Sequence, residues 1–588
     1  MCIDTVKGAW SQWRKGERVM TSKARLMIAA SALACLITMG CAGKAAAPVT
    51  AAGALDPAYL AAHVCGKPDD AAPTSDKAMP LLGGLAPVHY AVASKNPEVQ
   101  LYFDQGIALL YGFEYEAAYK SFKMAKTLDP NCAMCGWGMA MALGPNINNS
   151  DMKAKDLDEG RALLAVAAKA TDLTDRDHAL IDALNIRYAP GAPSATGNVW
   201  TEKFADAMGA AAQRWPDDDF VTVLAAESAM DVRPWDYWEP GGHVAKPWGA
   251  KAMTLVETVL KRNPDQPEAM HLYIHLTEDS DNPRRAEPYA DRLGMLSPNS
   301  PHLVHMPSHT FYPLGRFKDS IVVNEKAIAL DEGMARDLGA DPAWYGYYFH
   351  HARFIMSAAQ QVGDGPTALR LAAQMEQGVP LDKALTSEWA ESTLALTLQA
   401  RGQFQTPAEV LALAAPDKRL KIATVAWRAV RAEAFARAGD IVSARKELKA
   451  LRKAHDGAKS KDWKGFVDLA SEMAQGRVEL AAGNDAAAIA HFRAAVTLDG
   501  QFEYAEPPLW FQPADIALGR ALLASGDAAG AKAAFDHAIA VRPGNAYAVW
   551  GQAQAEAKLG DTASSQAATA AFDGIWLGDT GTMTMDRL

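Results

Sequence analysis

Runs of Val, Ile and Thr long enough to alternate as strands are scarce in this chain, and alanine dominates much of it, so sheet architectures give way to helices. No basic block interrupts a formal net charge of −11, which excludes bulk nucleic-acid binding through phosphate neutralisation. No G-x-S-x-G, Walker loop or dinucleotide fingerprint occurs, so the nucleophile-elbow hydrolases, P-loop NTPases and Rossmann dehydrogenases are set aside. HLYIH at 271–275 lacks the glutamate of the zinc-protease H-E-x-x-H, because Leu272 follows His271. Cysteine is rare, 6 in 588 residues, and the chain is 49% apolar, enough to bury several cores rather than one.

The apolar run LMIAASALACLITM (26–39) spans about fourteen residues, short of the ~20 that a membrane helix needs. Lys7, Arg14, Lys15, Arg18, Lys23 and Arg25 precede it and Gly40-Cys41 ends it, which is the layout of an export signal; Met20 offers an alternative start. Gly40-Cys41-Ala42-Gly43 resembles a bacterial lipoprotein cleavage site with Cys41 as the acylated residue, although Thr38 stands where leucine is usual. The expectation is an exported protein, tethered by lipid at Cys41 in the periplasm or outer membrane of a Gram-negative bacterium, with no other membrane contact. Removal of the leader and lipidation of Cys41 leave Cys65, Cys132 and Cys135, one bridge and one spare thiol in an oxidising compartment.

A period of thirty-four residues runs through the rest. From Val99, Gly106, Ala118, Phe122, Ala125 and Pro130 occupy positions 8, 20, 24, 27 and 32. Near the C-terminus Leu518, Gly519, Ala531, Phe535, Ala538 and Pro543 take positions 7, 8, 20, 24, 27 and 32. Gly476, Ala488, Phe492 and Ala495 keep the same register, and Ala432, Ala444 and Leu448 a looser one. These offsets resemble the tetratricopeptide repeat (TPR), an antiparallel helix pair in which a small residue at 8 admits the second helix at 20 and an aromatic at 24 fills the space between hairpins. One hairpin cannot bury its apolar face alone, so copies stack. The predicted fold is all-α, a right-handed α-solenoid of TPR-like hairpins with irregular insertions. The predicted segments are a signal at 1–41, a tether and lead-in at 42–95, N-terminal hairpins at 96–150, an off-register helical region at 151–250, histidine-bearing hairpins at 251–375, C-terminal hairpins at 376–576 and a tail at 577–588.

PDQPEAMHLYIH (264–275) and PNSPHLVHMPSH (298–309) align at the repeat interval. Pro267 and Pro301 suit a helix's first turn, where a missing N–H costs nothing, while Pro307 removes a backbone bond deeper in its helix. Counting from those prolines puts His271 and His275 at positions 5 and 9 with Glu278 at 12, His302, His305 and His309 at 2, 5 and 9, and His350 at 2 of the next hairpin. Spacings of three and four make one stripe per helix, predicted to face the concave groove. An even spread of the 14 histidines would put about one between 271 and 309, and five are there. Converging imidazoles with a carboxylate predict a transition-metal site, zinc first and copper or iron as alternatives, with more ligands than one ion needs. The competing prediction is a metal-free scaffold whose groove holds a peptide, protein or small molecule through the same polar positions. Whether a reaction is catalysed stays open.

CAMCGWGMAMALGPNIN (132–148), HLYIHLTEDS (271–280), HLVHMPSHTFYPLGRF (302–317) and Tyr348-Phe349-His350 together resemble a family of secreted bacterial TPR proteins. Departures are Gln266-Pro267 for His-Pro and His350-His351 for His-Asn. The resemblance covers the chain from about residue 96 and implies architecture and export rather than a reaction. Cys132-x-x-Cys135 opens a helix without a thioredoxin-like βαβ context and reads as a structural disulfide, with a redox pair or metal ligation as alternatives. GPNINNSD (144–151) reads as a capping turn and PWDYW (234–238) as a packed wall or lid.

Overall fold

In the computed structural model, Phe122, Phe492 and Phe535 hold the repeat together. A Cβ added at Gly138, Gly476 or Gly519 would lie 2.5, 2.5 or 2.6 Å from the nearest of these rings, and Gly106 and Gly551 abut Phe122 and Phe535 in the same way. Only a bare backbone admits the aromatic between two hairpins, so the glycine and phenylalanine positions of the repeat are one packing device. Each of the three rings is fully buried.

The structure describes residues 77–150, 152–192, 198–455, 461–502, 505–579 and 581–588. The expected export signal, Cys41 and Cys65 lie outside these residues. Contacts divide the chain into Met1–Gly53 and Ala54–Leu588, and all that follows concerns the second unit. Among the described residues there is no strand, only isolated bridges at Asn146–Asn149 and Trp238–Ala245, and no helix is long and apolar enough to cross a membrane. The architecture is an all-α solenoid of TPR-type hairpins. The stretch 151–250, off-register in sequence, continues the stacking with helices Asp175–Arg187, Val199–Arg214, Asp219–Met230 and Pro247–Arg262.

Seven helices position the site: α1 (Pro97–Tyr111), α2 (Tyr115–Leu128), α3 (Pro267–Thr277), α4 (Pro301–His305), α5 (Pro307–Phe311), α6 (Phe317–Leu338) and α7 (Tyr348–Val362). Pro267 sits in the first turn of α3, where the Gln266 side chain accepts from the Ala269 N–H, and Pro301 opens α4. Pro307 deletes the donor that would reach Leu303, so one helix becomes α4 and α5 with the break at Met306; the His309 N–H turns back to the Met306 carbonyl at 3.1 Å.

The C-terminal hairpins return onto α5–α7. Asn545 donates to Gln361 Oε1 (2.7 Å), Gln361 donates to the Phe511 carbonyl (2.8 Å) and the Leu577 N–H to the Val362 carbonyl (2.8 Å). Gly315 lies so close to the Pro543 carbonyl that no side chain fits between the two turns. At the other end the lead-in also docks: the Asn299 N–H donates to the Gly84 carbonyl at 2.9 Å, and Met79 and Tyr90 are buried. The solenoid thus brings elements far apart in sequence onto α3–α7.

Candidate metal centre

His271 and His275 project from α3, His302 and His305 from α4, His309 from α5 and His350 from α7, and the structure brings all six together. A seventh, His351, joins them. Each is between 0 and 2% exposed. The sequence predicts a stripe open to the groove, whereas the structure seals it. Phe113, at the tip of the α1–α2 turn, packs against His271 at 4.5 Å and His302 at 5.3 Å. Trp235 of the PWDYW segment stands edge-on to His275 at 5.1 Å and donates its indole N–H to the Ile147 carbonyl at 2.9 Å, so the turn around Ile147 reaches the wall through it. Among the described residues, the non-glycine residues with positive φ are these two, Phe113 at 53° and Trp235 at 64°. Bulky residues held in that region cost energy that the surrounding structure must offset, and here both are pressed onto imidazoles. Glu506, from the segment after helix Asp485–Asp499, closes the far side by an ion-pair contact with His309 Nδ1.

The imidazoles are fixed from behind. His271 Nδ1 meets Glu268 Oε2 at 3.1 Å, and His275 Nδ1 meets Glu278 Oε1 at 2.9 Å. The second oxygen of Glu278 meets His309 Nδ1 at 2.6 Å. His351 Nδ1 faces Asp331 Oδ2 at 2.7 Å. His305 Nδ1 faces Asn324 Oδ1 at 2.5 Å, and this amide's orientation is settled because Asn324 Nδ2 donates to the Ser320 carbonyl at 2.7 Å. An amide oxygen only accepts, so Asn324 places the His305 proton at Nδ1 and leaves the lone pair on Nε2; an ionised carboxylate does the same for the imidazole it faces.

Those lone pairs converge. His305 Nε2 lies 2.6 Å from His309 Nε2 and 3.1 Å from His350 Nε2, with 3.5 Å between the last two. Two nitrogens whose protons are both at Nδ1 have nothing to share at such a distance, and a cation between them removes the repulsion. A tetrahedral zinc with nitrogens at about 2.0–2.1 Å sets them about 3.3 Å apart, which the 3.1 and 3.5 Å edges match, while the 2.6 Å edge is shorter. Carboxylates or amides behind metal-ligating histidines are the usual orienting arrangement. Burial is the main reason every imidazole here titrates far below its ordinary value, His271 and His351 down to about 3. All seven are therefore neutral near pH 7, the form that binds metal. Burial likewise pushes the Glu268 and Glu278 carboxyls up, with Glu506 adding to the effect at Glu278.

Glu278 thus reaches the cluster as predicted, with both oxygens spent on Nδ1 atoms. Cys132 and Cys135 form a disulfide at the start of helix Ala133–Ala142, and neither joins the histidine groups. Sequence reasoning missed His351, Asn324, Asp331, Phe113 and Glu506. Asn324 had a signal: it occupies position 24 of its hairpin, where Phe122, Phe492 and Phe535 stand in others. His351 adjoined a predicted ligand. Phe113 and Glu506 carried no local sign.

No protein-family model and no curated protein matches the chain. Solved structures that match include a human IFIT1 dimer with m7Gppp-AAAA (11% identity over 82% of this chain and 91% of that one, TM-score 0.29). Yeast Tom70 (11%, 81% and 90%, TM-score 0.22) and the Cut9 complex with Hcn1 of the APC/C (13%, 84% and 95%, TM-score 0.28) also match. The fold assignment rests on the glycine–phenylalanine packing and the hairpin order, not on these likenesses.

Proposed function

We propose that this chain is an exported, lipid-anchored TPR protein of the bacterial cell envelope that holds a transition-metal ion at His305, His309 and His350. The observation that carries the reading is the convergence of His305, His309 and His350 Nε2, 2.6 to 3.5 Å apart, with the His305 proton held at Nδ1 by Asn324 and Glu278 facing His309 Nδ1. An all-imidazole set suits zinc or copper and gives hard magnesium or calcium little to bind. Glu278 orients ligands rather than binding the ion. With the cluster 0–2% exposed, a peptide in the groove does not reach these nitrogens, so the ion serves chemistry on very small molecules or the holding of the metal itself. The Cys132–Cys135 disulfide suits an oxidising compartment, and the resemblance to secreted bacterial TPR proteins supports export. The metal-free scaffold makes the opposite prediction on one measurement. Tag-free protein is expected to contain at least one equivalent of zinc or copper, lost in His305→Ala. Absence of any stoichiometric metal, with melting unchanged by a chelator, would sink the metal reading.

A further inference from the structure

Seven imidazoles exceed what one tetrahedral ion takes, and they divide by structure. His271, His275 and His302 each place a nitrogen within 4.8 Å of the others, as do His305, His309 and His350. Each trio has its own ring behind it. Phe113 packs on His271, His275 and His302 at 4.5, 6.0 and 5.3 Å, and Phe354 packs on His305, His309 and His350 at 5.1, 4.9 and 5.1 Å. In the first trio His271 and His275 hold carboxylates at Nδ1, so their Nε2 lone pairs are free to face inward. His275 Nε2 is buried with no hydrogen-bond partner, and so is His302 Nδ1. His271 Nε2 meets His302 Nε2 at 3.1 Å. Buried polar nitrogens without partners are costly unless something occupies the space they face.

We infer that the first trio is a second ion site, making a binuclear centre of two zinc or copper ions that share Glu278, whose two oxygens orient a ligand of each ion. This rests on the reading that His305, His309 and His350 bind metal. Acceptors behind both trios fit a pair: Glu268 meets His271 of the first, Glu278 meets His275 of the first and His309 of the second, and Glu506 meets His309. His351 offers a nitrogen within 4.8 Å of nitrogens from His302 and His305, one from each trio, and its Nε2 is buried without a hydrogen-bond partner, which makes it the candidate for a fourth nitrogen.

Protein produced in medium supplemented with Zn(II), and separately with Cu(II), then desalted and analysed by elemental mass spectrometry, is expected to carry two ions per chain. His271→Ala and His350→Ala are each expected to keep one, and the double variant none. One ion in the parent chain, lost in both single variants, overturns the pair and leaves the single-ion reading standing; no ion of either metal overturns both. Should a variant fail to fold, Co(II) titration of the parent protein decides, with saturation at two equivalents expected and saturation at one overturning the pair. Glu278→Gln is expected to weaken both sites by about 10- to 100-fold; loss at only one site overturns the sharing.

Discussion

The hairpin 514–541 and the hairpin 301–338 are built on one repeat and put the same positions to opposite uses. In the first, Phe535 at position 24 is wedged against Gly519 and Gly551, and the space between helices is filled with hydrocarbon. In the second, positions 8, 20 and 24 are Ser308, Ser320 and Asn324, all buried. Ser308 Oγ lies 3.2 Å from His305 Nδ1, Asn324 accepts from that same nitrogen, and the Ser320 carbonyl fixes Asn324. The residues that elsewhere stack the repeat here orient one imidazole. Packing energy has been exchanged for a defined tautomer, and the fold survives because its neighbours supply the stacking.

Acid should separate the two regions most strongly. Seven imidazoles are held below their ordinary value by burial, so the unfolded chain binds protons that the folded chain refuses. Their contribution to stability is complete above about pH 6.5 and lost as pH falls through and below it. Glu268 and Glu278, with Glu227 raised to about 7 and Asp231 to about 8, act in the opposite sense, since burial keeps their protons on in the folded state. Seven outweigh four, so metal-free protein is expected to lose hydrogen-exchange protection in α3–α7 between about pH 6.5 and 4.5, while helices 514–575 keep theirs. Protection that rises in α3–α7 over that range would contradict the burial argument.

Phe535→Ala comes next, at about 3–5 kcal/mol in denaturant unfolding of the C-terminal hairpins. Metal content should be unchanged; a parallel loss of metal would mean that the two regions form one cooperative unit. Asn324→Phe restores the repeat's aromatic and removes the acceptor at His305 Nδ1. Metal affinity measured by chelator competition should fall about 10- to 100-fold, and an unaltered affinity would show that Asn324 is a packing residue. The smallest effect belongs to Ser308→Ala, about 0.5–1.5 kcal/mol in metal affinity, because Asn324 still holds the ring.

The repeat was legible because its signal is local: a glycine, an alanine and a phenylalanine at fixed offsets report contacts within one hairpin or between neighbours. The histidine stripes were legible for the same reason, as spacings of three and four along α3, α4 and α5. Asn324 departs from the pattern, a polar residue where the repeat elsewhere has phenylalanine. What no local pattern reveals is closure. Phe113 precedes the cluster by more than a hundred residues and Glu506 follows it by as many; their meeting depends on how the whole solenoid winds. The predicted open groove became a sealed chamber through that winding, with Gly315 and Pro543 in contact where the two limbs meet.

That seal has a kinetic meaning. An ion held as proposed, at nitrogens 0–2% exposed, would not leave by simple ligand dissociation; Phe113, Trp235 or the Glu506 segment would first have to swing away. Exchange would then be timed by the opening of the solenoid rather than by metal–nitrogen bonds, and loading would belong to the moment of folding, before the chain closes over the site. A chain of this design would report the metal available where it folded, and would keep that record long after the surroundings had changed.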